Sequence, residues 1–123
     1  MVTEKEFEEY LESIGGLENG MFTNKPPIKS AGFFSIGKGW YQLVKDLIEE
    51  LIQAGWDKHI TQVKEKFGGL RFYTNGLTQE QRLIVDKYEE LSYHTCEECG
   101  EPGKVRNDGW VTVLCDKHYK PKE

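Results

Sequence analysis

The chain lacks the residues on which several common protein designs depend. Three cysteines in 123 residues are too few for the disulfide framework of a small secreted domain, and all three fall in one metal-like pattern. There is no apolar run of the roughly eighteen residues that a membrane span needs. The acidic, polar N-terminal stretch also lacks the basic start and apolar run of a signal peptide. Cationic excess is missing too. A net charge of -5 argues against broad, nonspecific nucleic-acid binding and leaves room only for a local basic patch. No HExxH pair, glycine-rich dinucleotide fingerprint or G-x-S-x-G nucleophile turn occurs. His59 and His94 have neither an adjacent nucleophile nor an evident carboxylate orienter, so both read as surface or helix-end histidines. These absences predict a cytoplasmic protein, not membrane-bound and not an enzyme.

Hydrophobic residues make up 37% of the chain and charged residues 30%, a balance that supports a modest folded core. The most specific pattern is C-terminal. Cys96-x-x-Cys99 and Cys115-x-x-His118 are separated by fifteen residues, enough for a short hairpin that brings the two pairs around one ion. Soft thiolates and one imidazole suit tetrahedral Zn2+, and four protein donors leave no open position for a substrate. The expected role of the zinc is structural. Iron fits the same thiol-rich set, and a redox CxxC is the other alternative, although Cys96 follows a predicted helix instead of leading into one. Gly100 lets the chain bend beneath the metal, and 104–106 and 110–114 supply the two arms. Loss of metal is expected to disturb residues 96–118 more than the helix beginning at Trp40.

Upstream, Thr3 and Glu6 form a capping-box pattern before a stripe of Phe7, Tyr10, Leu11 and Ile14, with Gly15-Gly16 as the stop. Glu4, Glu8, Glu9 and Glu12 give that helix an acidic outer face. Residues 31–36 fit a short strand. Gly37-Lys38-Gly39 fits a turn into the next helix better than a phosphate loop, which is longer and ends in Lys-Ser or Lys-Thr. Trp40, Leu43, Val44, Leu47, Ile48, Leu51 and Ile52 then recur at helical spacing and define the central core helix. A third helix is expected after the Thr78 and Gln81 capping box, with Ile84, Tyr88 and Leu91 as its stripe and Leu83 and Val85 at the edges.

Between these helices, 61–67 and 70–74 read as a hairpin turning at Gly68-Gly69. In that register Phe67 faces Leu70, Glu65 faces Phe72, and Lys66 opposes Arg71. Lys64, Lys66, Arg71 and Tyr73 share the outer face and are the candidate partner-binding residues. They suit the phosphates and bases of a nucleic acid or an acidic protein surface.

From Gln62 to Tyr73, together with the Cys96 to His118 cluster, the sequence resembles small uncharacterised proteins of bacteria and their phages. The resemblance covers the chain from Trp40 onward and implies a bacterial or phage cytoplasmic setting. The expected fold class is α+β, with three helices and a small antiparallel sheet in residues 1–94. A zinc-ribbon or treble-clef-like finger in residues 95–123 is expected to pack on it. The expected function is a noncatalytic, zinc-stabilised protein-interaction module, a regulator or inhibitor of phage or bacterial machinery. A nucleic-acid-binding protein using hairpin 61–74 is the alternative.

Overall fold

A computed structural model describes residues 2–13, 34–56, 60–74 and 76–120. Its elements are α1 (Glu4–Ser13), β1 (Phe34–Ser35), a 3-10 turn (Lys38–Trp40), α2 (Tyr41–Gln53), β2 (Ile60–Lys66), β3 (Gly69–Thr74), α3 (Gln79–Ser92), β4 (Lys104–Asn107) and β5 (Val111–Leu114). The fold is α+β. Three helices share one apolar core with a sheet of order β1-β2-β3, and β4 and β5 form a separate C-terminal pair. β2 runs antiparallel to β3, and β1 joins parallel to β2 with Phe34 opposite Val63.

α2 lies at the centre because its apolar residues leave it no exposed alternative. Tyr41, Val44, Leu47, Ile48 and Leu51 are buried, and Trp40 just ahead of them is fully enclosed. Full burial of each such side chain contributes about 1.5–3 kcal/mol, so this helix anchors the core. α1 is started by its capping box, in which the Glu6 amide donates to Thr3 Oγ1 and the Thr3 amide to Glu6 Oε1. Its Phe7 ring stacks on Tyr41 with centroids 5.0 Å apart. The expected stop at Gly15-Gly16 and the stripe member Ile14 lie outside the described residues.

The hairpin differs from expectation at its turn. Phe67 and Gly68 are the loop residues, both with positive φ (54° and 85°), as a mirror-type two-residue turn requires. Lys64 therefore opposes Arg71, Lys66 opposes Gly69, and Glu65 opposes Leu70. The expected Lys66–Arg71 and Phe67–Leu70 pairs are not formed. Each partner has moved by two residues, so both faces keep their members while Phe67 leaves the core and is 72% exposed. The cause is Tyr93. Its hydroxyl lies where a Gly69 Cβ would stand, at 2.3 Å, so Gly69 serves as a strand residue beneath the ring and cannot be spent on the turn.

α3 buries Tyr88 and Val85 and packs Ile84 against the core as expected, but the rest of its inner face differs from expectation. Gln81, Val85, Tyr88 and Ser92 face inward, while Leu83 and Leu91 are exposed. The helix runs along the outer edge of β3, where unpaired amides need acceptors. The Leu70 amide donates to Ser92 Oγ at 2.9 Å and the Phe72 amide to Glu89 Oε2 at 3.0 Å. Polar side chains on the inner face thus close the edge against pairing with another strand. The Thr78–Gln81 capping box forms as expected, and Gln81 Nε2 also donates to the Ala54 carbonyl, tying α3 to the end of α2.

Candidate metal centre

The knuckle begins where α3 ends. Thr95 bridges Pro102, the Cys96 amide donates to the Glu101 carbonyl, and the Gly100 amide returns to the Cys96 carbonyl at 2.8 Å. Gly100 holds φ of 81°, the left-handed geometry that glycine adopts without strain. Glu97 fastens this loop to β5, because its amide donates to the Val113 carbonyl and its carboxylate accepts from the Val113 amide. Burial, the largest influence, raises the Glu97 carboxyl above its ordinary range.

The second pair follows β5 in one helical turn, with the His118 and Tyr119 amides both donating to the Cys115 carbonyl. Arg106 braces that turn from β4. It donates to the Leu114 carbonyl and to Asp116, and its guanidinium lies 4.3 Å from the Tyr119 ring centroid. The Tyr119 hydroxyl in turn reaches Asp108.

These devices bring the ligand atoms of Cys96, Cys99, Cys115 and His118 within 4.8 Å of one another. Cys99 Sγ is 3.7 Å from Cys115 Sγ, and His118 Nδ1 is 3.8 Å from Cys96 Sγ and 3.2 Å from Cys115 Sγ. A tetrahedral ion with Zn–S near 2.3 Å and Zn–N near 2.0–2.1 Å sets edges of about 3.8 Å between sulfurs and about 3.6 Å between sulfur and nitrogen. The cluster matches that size and is capable of coordinating a metal ion. Burial opposes a charged Cys115, but hydrogen bonds from His118 and the neighbouring thiols hold it as a thiolate with a pKa lowered to about 6. For Cys99 the Glu101 backbone bond favours the thiolate, but burial and the adjacent sulfurs outweigh it and raise the pKa. A cation bound among the three sulfurs would favour their thiolate form.

The knuckle is joined to the body through two glycines whose purpose was not legible in the sequence. The Gly39 amide donates to the Glu97 carbonyl at 2.9 Å, and Trp40 Nε1 donates to the Thr95 carbonyl at 2.8 Å. A Cβ on Gly39 would lie 2.3 Å from the Cys96 carbonyl oxygen, and one on Gly37 would lie 2.2 Å from that of Glu97. Gly37 and Gly39 therefore admit the backbone of the metal loop, and Lys38 between them is exposed.

Of the candidate partner-binding residues, Lys66 and Tyr73 are exposed and Lys64 is half-buried, with its ammonium 5.8 Å from the Tyr73 ring centroid. Arg71 is engaged internally, donating to the Leu70 carbonyl at 3.2 Å and the Tyr93 hydroxyl at 3.4 Å. His94 is exposed at the end of α3, and His59 lies outside the described residues. No helix among the described residues is long and apolar enough to cross a membrane. Compared with models of protein families, with curated proteins and with solved structures, the chain matches none.

Proposed function

We propose that this chain is a noncatalytic, zinc-stabilised protein-interaction module, a cytoplasmic regulator or inhibitor in a bacterial or phage setting. The observation that carries the reading is the closed donor set. Three thiolates and one imidazole supply every corner of a tetrahedron, so the ion has no free position at which to activate water or a substrate. Cys96, Cys99, Cys115 and His118 are the proposed zinc ligands. The metal's contribution is folding free energy, released by joining the end of α3 to the end of β5.

Purified protein should contain about one zinc per chain and show no turnover that a point substitution at the cluster abolishes. Metal-dependent turnover lost in Cys99→Ser, with metal contamination excluded, would contradict a purely structural centre.

Nucleic-acid binding by the outer hairpin face is the second reading. It is favoured by Lys64 and Lys66, which have no carboxylate partner among the described residues, and weakened by the internal engagement of Arg71. It predicts DNA or RNA affinity that falls steeply with salt and that Lys66→Ala reduces without removing zinc.

A further inference from the structure

Phe67 and Trp110 are the most exposed large apolar side chains among the described residues, at 72% and 75%. One stands in the turn of β2–β3 and the other just before β5, and these two places touch. A Cβ on Gly68 would lie 2.7 Å from Val111 Cγ1, so the hairpins meet at the residues next to the two rings. With consecutive Cα atoms about 3.8 Å apart, the backbones of Phe67 and Trp110 lie within about 14 Å of each other. The two exposed residues therefore stand on neighbouring turns, at the place where the metal finger meets the sheet.

Folding does not account for Phe67. A two-residue mirror-type turn favours asparagine or glycine at its first position, and a bulky side chain at φ of 54° is strained. No core burial offsets that strain. Among the described residues, the ring meets the Lys66 ammonium, 5.8 Å from its centroid. A residue that breaks a local rule without a folding gain points to binding.

The surrounding charge indicates the kind of partner. Lys64 and Lys66 have no carboxylate partner among the described residues, in a chain whose net charge is -5. Arg71, the group best suited to phosphate, is turned to Tyr93, and the Glu65 carboxylate sits at the tip, accepting from the Gly68 amide. Exposed aromatics flanked by two lysines and a carboxylate suit a protein surface better than a polyphosphate strand.

We propose that Phe67 and Trp110 are the paired anchors of a docking surface for a protein that offers apolar pockets rimmed by carboxylates, which Lys64 and Lys66 meet. The proposal rests on the protein-interaction reading and adds its location. The test places the photo-crosslinker p-benzoylphenylalanine at position 67, 110 or 83 of the full-length, zinc-loaded chain and irradiates each in extract of the cells that make it. Leu83, exposed on α3, serves as the control position.

Positions 67 and 110 should join the same protein, at apolar segments flanked by Asp or Glu, and position 83 should not. Phe67→Asn should reduce the adduct from position 110 by about tenfold, the scale of a binding hot spot. The same variant should melt about 3 °C higher, because asparagine relieves the turn. A lower melting temperature would overturn the strain argument and the proposal with it. Adducts to one protein from position 83 alone would overturn the surface while leaving the protein-interaction reading standing. Adducts to nucleic acid, or none from any position, would overturn both.

Discussion

Hairpin β2–β3 sends Ile60, Val63, Leu70 and Phe72 into the core, whereas hairpin β4–β5 buries Val113 alone and leaves Val105 half exposed. The first has helices against it and its outer edge closed by Ser92 and Glu89. The second is held at its ends, by the Glu97 bonds to Val113 and by the four donors of the cluster. An isolated two-stranded hairpin is marginal in water. One hairpin is therefore ordered by apolar burial, the other, on the proposed zinc reading, by coordination, and each should fail when its own support is removed.

The largest effect is expected from Cys115→Ser. Structural zinc in finger peptides contributes roughly 10–16 kcal/mol of apparent binding, so the variant should lose both its metal and the order of residues 95–118, as amide exchange would show. The body should remain folded, with one change at the start of α2. Trp40 Nε1 loses the Thr95 carbonyl and the Gly39 amide loses that of Glu97, bonds worth about 1 kcal/mol each, so the first turn of that helix should exchange faster.

Leu70→Ala is the converse. It should cost about 2–5 kcal/mol by denaturant unfolding while zinc stays bound in the folded fraction. Gly39→Ala strikes the join between the regions. The new methyl meets the Cys96 carbonyl and the Cys99 amide, so a loss of about 1–3 kcal/mol should appear together with faster zinc release to a chelator. Equal zinc retention in the Gly39 and Leu70 variants would show that the join does not support the knuckle.

The smallest effect concerns the contact between α2 and α3. Hydrogen bonds from Lys87 and then Tyr88 lower the Glu50 carboxyl below its ordinary value of 4.5. A depressed acid contributes stability that is fully present above that value and is lost as the pH falls through the lower native one. Glu50→Gln should therefore cost about 0.5 kcal/mol near neutrality, as expected of a partly exposed pair, and almost nothing in strong acid.

The parts of this architecture legible in the sequence were those with local causes. The capping boxes at Thr3 and Thr78, the periodic core helix after Trp40 and the spacing of the cluster each depend on residues a few positions apart. The parts not legible depend on residues far apart in the chain. Gly68-Gly69 resembles a complete turn until Tyr93, more than twenty residues later, occupies the space above Gly69. The inner face of α3 carries Ser92 and Glu89 because β3 has amides to satisfy, and a search for apolar periodicity passes over both. Gly37 and Gly39 look like a turn, and only the folded chain shows them receiving the metal loop. The four candidate metal donors could be grouped from sequence because their spacing brings them together. The particular contacts that attach them to the body could not, because these run through backbone carbonyls that meet Gly37, Gly39 and the Trp40 indole.

The central claim is that a closed Cys3His zinc centre orders the C-terminal hairpin, and X-ray absorption at the metal edge of the purified, full-length protein tests it most directly. The account predicts a zinc edge with about three sulfur neighbours near 2.3 Å and one nitrogen near 2.0–2.1 Å. An iron edge, or a zinc shell in which oxygen replaces one or more of the sulfurs, would contradict it.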